Sequence, residues 1–290
     1  MKIIQKILTM VSSRCSDELS GLSAALLLML LPVSALAQSG VWYLPEHNET
    51  VRVISVAAGN AFARDTYLSA SRYDGWAVGL EGDSWTGYRP DRLFSYGRSF
   101  SSVFFSPMTN RLDGGSTLEA GISDYLAFLW PAIRNNRQDL LIGPSAMFKA
   151  NVLYNRQNSN NPVNGAGYLA GGLSVDYSLR FSLLRYDMAM QATFYAPLAG
   201  LGFAPDFDQP YWYMYKYGDY GKALHFITPF NNPAFLQQVA FVLPCRGTRF
   251  RVGYSFDYIG NRLGGHSRNI FNGMFTIGCA LRFQNKEWNQ

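Results

Sequence analysis

Between Tyr168 and Leu183 the chain reads YLAGGLSVDYSLRFSL, with apolar and polar residues alternating almost one by one. Leu169, Leu173, Val175, Tyr177, Leu179, Phe181 and Leu183 occupy one set of alternate positions; Ser174, Asp176, Ser178, Arg180 and Ser182 occupy the other. Successive side chains of a strand point to opposite faces, so this segment predicts a ribbon with one oily and one polar side. Thr248–Asn261 repeats the pattern, setting Phe250, Val252, Tyr254, Phe256 and Tyr258 against Arg249, Arg251, Gly253, Ser255 and Asp257. Ile270–Phe283 repeats it again, with Phe271, Phe275, Ile277, Cys279, Leu281 and Phe283 opposed by Asn272, Met274, Thr276, Gly278 and Arg282. Each segment runs for 14 residues or more, where soluble strands run ~5–6.

Weaker alternation predicts seven further strands, over Val51–Gly59, Tyr73–Thr86, Arg92–Ser106, Ser116–Trp130, Leu140–Asn155, Asp187–Ala199 and Phe235–Leu243. No helical periodicity competes beyond residue 50. Long or Gly/Asn-rich links are expected at 60–72, 107–115, 156–166, 200–234 and 260–269, and short ones at 87–91, 131–139, 184–186 and 244–247. The pattern predicts an all-β fold, a transmembrane antiparallel β-barrel of about ten strands with short periplasmic turns and long outer loops. A hairpin inside 200–234 would raise the count to twelve. A tilted strand crosses a bilayer with ~9–11 residues, and an open sheet edge cannot persist in hydrocarbon, which requires closure. The oily face then meets lipid, while Asp176, Arg180, Arg249, Arg251, Asp257 and Arg282 project into the lumen and neutralise one another. A soluble sandwich or a lipocalin-like periplasmic carrier is the competing use of the same ribbons, with the oily side inward.

Composition favours the first use. Charged residues make up 16% and aromatic residues 15%, with 18 Tyr and 20 Phe, which suits an exterior in lipid with rings at the interfaces. The first 37 residues read as an export signal. Lys2, Lys6 and Arg14 precede the apolar run LSAALLLMLLPV, and Ala35-Leu36-Ala37 before Gln38 fits a cleavage site. Asp17 and Glu18 interrupt the basic region, which makes Met10 a second candidate start. The apolar run is shorter than the ~20 residues of a spanning helix. Residues 38–290 are expected to form a single barrel domain in the outer membrane, with lipid as its surroundings. Losing 1–37 removes three Lys/Arg and two Asp/Glu, so the formal charge falls from +5 to +4. No basic block remains, so nucleic acid is not an expected partner. Cys245 and Cys279 are too few for a disulfide scaffold. The segment FTIGCALRF closes on the aromatic Phe283, as final strands of such barrels do, but seven residues, QNKEWNQ, follow it.

The stretch ARDTYLSASRYDGW resembles the opening motif of a bacterial family of uncharacterised outer-membrane barrel proteins. That motif joins D-T-Y-L-S to Y-x-G, here Asp65, Thr66, Tyr67, Leu68, Ser69, Tyr73 and Gly75. The resemblance implies an outer-membrane barrel and supplies no activity, ligand or catalytic residue. By its own chemistry the stretch reads as an ordered loop. Asp65 and Ser69 are placed to accept hydrogen bonds from nearby amides, and Tyr73-Asp74-Gly75 starts the next strand.

Candidate chemistry is sparse. His47, His225 and His266 have no metal-ligand spacing, and neither a metal nor a cofactor is expected. In GGHSRNIFNG, His266, Ser267 and Asn269 are the weak catalytic candidates, because nucleophilic lipid hydrolysis needs a base, a hydroxyl and an orienting group. Barrel lipid hydrolases set the His and Ser two apart on one strand face; here they are adjacent, with Arg268 at the second position. The reading therefore leans away from an enzyme, towards a structural or surface-binding barrel, with a lipid-modifying hydrolase as the alternative. YWYMYKYGDY is the other unusual stretch. Tyr211, Trp212, Tyr213 and Tyr215 are candidate contacts for a glycan or a surface protein, against the plainer reading of an aromatic girdle. The long link around it carries Pro205, Pro210, Pro229 and Pro233, with Pro197 just before it, and is expected to form an ordered cap or hairpin on the outer rim.

Overall fold

Ribbons with one oily and one polar face, each too long for a small sandwich, find their partners by closing on one another. The computed structural model describes residues 44–45, 49–87, 94–112, 114–159, 161–183, 186–207, 210–245 and 248–284. The strands are β1 (Glu49–Asp65), β2 (Ser69–Thr86), β3 (Tyr96–Thr109), β4 (Ser116–Arg134), β5 (Gln138–Asn155), β6 (Val163–Leu183), β7 (Tyr186–Phe203), β8 (Leu224–Ile227), β9 (Ala234–Cys245), β10 (Thr248–Asn261) and β11 (Arg268–Gln284). Ten of them form a closed antiparallel ring in chain order, with β7 joined directly to β9 and β11 returning to β1. The closing pair is fully in register from Glu49↔Gln284 to Asp65↔Arg268. The eleventh, β8, pairs only with the far end of β7, from Gly200↔Ile227 to Phe203↔Leu224, so the ring count is ten. The segments 1–37 and 285–290, together with His47, lie outside the described residues.

The oily face points out. Leu169 is 57% and Leu173 49% exposed, while Ser174 and Asp176, on the opposite phase just beyond them, are buried. β1 behaves likewise, with Ile54 and Val56 outward and Val53, Ser55 and Ala57 inward. A barrel in water would sort these side chains the other way. The interior is filled in part by apolar and aromatic groups, among them Tyr96, Phe100, Tyr125, Met147, Tyr168 and Tyr195, as expected of a barrel this narrow.

Two expectations about the connections need correction. Residues 60–72 do not form a long link, because β1 and β2 run on until only 66–68 remain between them. The reason is continued backbone pairing, from Ala61↔Gly75 up to Arg64↔Arg72, which outweighs the weak local alternation. On the opposite rim the link 87–95 is longer than its neighbours at 135–137, 184–185 and 246–247, so that rim is not uniformly short. The other rim carries 66–68, 110–115, 156–162, 204–233 and 262–267. It is called the capped rim below, and the opposite one the turn rim.

The β2–β3 ladder has one defect that matters later. Pairing jumps from Gly75↔Met108 to Val78↔Phe105, where Pro107 lacks an amide hydrogen to donate. Ser106 Oγ donates instead to the Trp76 carbonyl (2.9 Å). A Cβ on Gly75 would lie 2.1 Å from the Pro107 carbonyl oxygen, so only glycine allows the strands to approach here.

Candidate functional site

Charged side chains cross the lumen in a compact network. Arg98, on β3 and buried, donates a forked pair of bonds to Asp83 of β2 (Nε–Oδ1 3.0 Å, Nη2–Oδ2 2.9 Å). It also donates to Asp176 of β6, Thr193 of β7 and Gln238 of β9. Arg251 of β10 donates to Asp83 from the remaining side at 3.1 Å, so two arginines face two aspartates and the quartet is neutral. The guanidinium of Arg98 lies 4.6 Å from the Trp85 ring centroid and 5.7 Å from that of Tyr125. One planar fork thus ties together side chains from four other strands, which a lysine could not do.

Further pairs lie along the lumen. Ser255 donates to Glu81 (3.0 Å), Asn151 donates to Glu119 (2.8 Å), and Lys149 is paired with Asp257. Towards the turn rim, Asp139 accepts from Arg180 and Glu49 from Arg282; Arg249 is buried in the same region. The partners seen for the six sequence-derived lumen charges are therefore mostly residues not singled out from sequence, Arg98, Asp83, Lys149, Asp139 and Glu49. Their signal was present, since each sits in the inward phase of its strand. On β2, however, polar residues occupy both phases and hide it.

At the capped rim the lumen is less fully paired. Arg268, buried at the start of β11, approaches Asp65 Oδ2 at 3.6 Å, and Asn164 Nδ2 donates to the same oxygen at 2.7 Å. The three guanidinium nitrogens of Arg268, both polar atoms of Asn272 and Glu119 Oε2 have no hydrogen-bond partner among the described residues. Buried polar groups are ordinarily hydrogen-bonded, so this cluster differs from the closely paired Arg98 network.

The DTYLS stretch forms the tight turn 66–68 above this region. Asp65 Oδ1 accepts from the Tyr67 amide (3.0 Å), and Ser69 Oγ accepts from the Ser71 amide (3.1 Å). Burial and then the Asp65 carboxylate push the Tyr67 phenol above its usual range, which keeps it neutral.

The described parts of the link 204–233 lie against this turn, with Phe207 and Tyr211 both edge-on to Tyr67. It carries helix α1 (Tyr211–Tyr217), ended by Gly218 in the left-handed conformation (φ 67°), then a short 3₁₀ turn and β8. Tyr211 anchors it. Its hydroxyl accepts from the Gly165 amide (2.5 Å) and donates towards Asn164 Oδ1 (2.8 Å) and the Gly165 carbonyl (2.9 Å), while its ring packs edge-on against Tyr67. The Phe207 amide donates to the Gly264 carbonyl (2.9 Å), tying the same segment to the β10–β11 connection. Of the four aromatic candidates, Tyr211 thus packs inward. Trp212 (62% exposed), Tyr213 and Tyr215 (85% exposed) face solvent.

Burial pushes the Tyr211 phenol up to about 12. Its folded-state value lies above the free value of 10.0, so the contribution of the neutral form is complete below pH 10 and is lost as pH rises through about 12. Tyr211→Phe is expected to speed hydrogen exchange over 211–223 while leaving the strands unchanged. Raising the pH from 10 towards 12 is expected to increase the exchange of 211–223 in the wild type reversibly, beyond the base-catalysed increase shared by all amides. Unchanged exchange in both cases would remove Tyr211 as the anchor.

Among the described residues no hydrogen bond joins His266, Ser267 and Asn269 to one another. His266 is buried, with Nδ1 against the carbonyl of Gly264 (3.2 Å) and its ring beside Tyr67. Ser267 is held to Thr66 through its backbone. Asn269 lies on the outer wall and accepts from the Tyr258 hydroxyl (3.2 Å).

The outer wall is apolar between the rims and ringed by aromatics. Phe62, Phe271, Phe256, Phe235 and Phe194 meet from strand to strand across β1, β11, β10, β9 and β7 at centroid separations of 4.6–6.3 Å, stacked except for the edge-on Phe256–Phe271 pair. Near the turn rim Phe94, Phe128 and Trp130 cluster. Asp124, midway along β4, is an ionisable exception, and it accepts a hydrogen bond from Ser101 (2.6 Å).

Together these features define a closed ten-stranded β-barrel with an apolar wall, a side-chain-filled lumen and an ordered cap on one rim. The chain belongs to the family of proteins of unknown function DUF3316, whose model matches residues 24–287. No curated protein matches it. Among solved structures it is similar to the outer membrane protease OmpT from Escherichia coli, at 9% identity and TM-score 0.43 over 87% of this chain and 100% of that one. It is also similar to the transport unit of the autotransporter AIDA-I from Escherichia coli (8%, TM-score 0.36, 89% and 94%). A third is the TodX monoaromatic hydrocarbon channel deltaS2 mutant (7%, TM-score 0.27, 84% and 92%). No residue role is transferred from any of them.

Proposed function

We propose that the chain is an exported outer-membrane barrel, its signal removed after Ala37, that serves as an anchor and presents its cap as a contact surface. The observation that carries this is the sorting of side chains across the wall. Ile54, Leu80, Phe128, Leu169 and Phe275 are each more than half exposed, while Asp83, Arg98, Lys149, Asp176 and Arg251 are buried. Only an apolar surrounding makes that sorting favourable, and the rings near both rims suit the two interfaces of a bilayer. The Arg98 network fills the lumen, which argues against an open channel. Trp212, Tyr213 and Tyr215, carried on a helix that Tyr211 pins down, offer ring faces to a glycan or to a surface protein.

The mature protein is expected to fractionate with the outer membrane, to resist carbonate extraction and to change gel mobility on boiling. Recovery in the soluble periplasmic fraction would overturn the membrane reading. Deleting 206–228 is expected to leave a heat-modifiable barrel, because β7 pairs with β9 independently of β8. The same deletion should abolish any binding to purified glycans or envelope proteins. Failure of that variant to assemble would mean instead that the cap is part of the wall.

A further inference from the structure

We propose that the outer wall beneath the 66–68 and 156–162 connections binds a phosphorylated membrane lipid, its headgroup held by Arg64, Arg72 and Arg156 and an acyl chain lying beside Trp76. This rests on the membrane reading above. Three independent features meet at this stretch of the capped rim.

The first is an unfavourable charge arrangement. Arg64 and Arg72 are directly opposite one another in the β1–β2 ladder, and both point outward. Like charges at such a position repel. Arg64 donates from Nε to the Ala70 carbonyl (3.1 Å), and Arg72 is poised over the Phe62 ring at 4.4 Å. Asp74 bonds Arg72 at 2.7 Å with both side chains about half exposed, so one carboxylate offsets two cations. An anion with several oxygens would bridge them, and guanidinium forks match phosphate in shape and charge.

The second is a third cation across the same wall. Arg156 is exposed immediately after β5, and its amide donates to the Ser116 carbonyl at the start of β4. No ion pair is seen for Arg64 or Arg156 among the described residues.

The third is a groove of about 310 Å³ between them. Trp76, Pro107, Met108 and Leu118 line it, with Asp74 and Arg156 at its margins. It lies where Trp76 and Ala77 drop out of the β2–β3 pairing, opposite Pro107 and Ser106. A largely apolar groove with Arg156 and the Arg72-bonded Asp74 at its margins suits an amphiphile with an anionic head better than a neutral lipid or a free anion.

The test uses the full chain in neutral detergent, with thermal unfolding and native mass spectrometry as readouts. The probes are bisphosphorylated lipid A, the same lipid with its phosphates removed, and inorganic phosphate. The bisphosphorylated lipid is expected to stay bound and to raise the unfolding temperature, while the other two do neither. Each of Arg64→Gln, Arg72→Gln and Arg156→Gln is expected to weaken binding about fivefold, the loss typical of one surface cation facing anionic lipid. Unboiled gel mobility should be unchanged in these variants. Equal binding of the dephosphorylated lipid, equal stabilisation by inorganic phosphate, or full affinity in the triple variant would each overturn the proposal while leaving the membrane reading intact. A wild-type protein that fractionates as soluble would overturn both.

Discussion

Replacing Arg98 with alanine is expected to destabilise the barrel by about 3–5 kcal/mol, the cost of breaking a buried ion pair by removing one partner. Among the described residues, Asp176 would lose the one arginine paired with it and Asp83 would keep Arg251. Neither carboxylate can reach bulk water, since both are buried. Arg98→Lys keeps the charge but not the fork that holds Asp83, Asp176 and Gln238 together, so it should fall between wild type and alanine. Removing both sides, as in Arg98→Met with Asp83→Asn and Asp176→Asn, should recover much of the loss, because no unpaired buried carboxylate remains. Urea unfolding in lipid vesicles reads all three. A loss below about 1 kcal/mol for Arg98→Ala would mean that the lumen is wet enough at this level to solvate the aspartates, within the range of a surface pair.

Leu173→Arg is expected to cost about 2–4 kcal/mol, and Leu183→Arg no more than about 1 kcal/mol, because the penalty for a cation on a lipid-facing wall falls with distance from the midplane. Both residues lie on the outward face of β6, Leu173 at the middle of the strand and Leu183 at its end beside the turn rim. Leu179 pairs with Gln138 near that same rim, so an arginine there would reach the interface and read closer to Leu183. Small and equal costs at Leu173 and Leu183 would mean that the wall faces water, whatever its composition. The comparison isolates depth, since both positions share a strand, a face and a side chain.

Much of the architecture follows from local sequence. All ten sequence-derived segments lie within or overlap the ten strands of the ring, and the oily face of β6 lies outward. The physical reason is that period-two alternation constrains every side chain of a strand at once, so a long run of it leaves little freedom. The DTYLS turn is legible for a similar reason, because Asp65 and Ser69 bond amides only two residues away. Even the ordered character of 204–233 follows from its aromatic content and length.

Other features depend on distance in space. The strand ends are set by pairing, which carries β1 and β2 past their alternating portions as far as Arg64↔Arg72. The same register brings two arginines face to face, although seven residues separate them in the chain. Tyr211 is set apart from Trp212, Tyr213 and Tyr215 by meeting Asn164, Gly165 and Tyr67, contacts made across 46 residues or more. The pairing of lumen charges is of this kind as well. An inward carboxylate such as Asp83 can be placed on its face by parity alone, but its partners Arg98 and Arg251 lie on strands chosen by closure. Parity along one strand tells which way a side chain points; which side chains meet across the lumen is decided by the number, tilt and register of all ten.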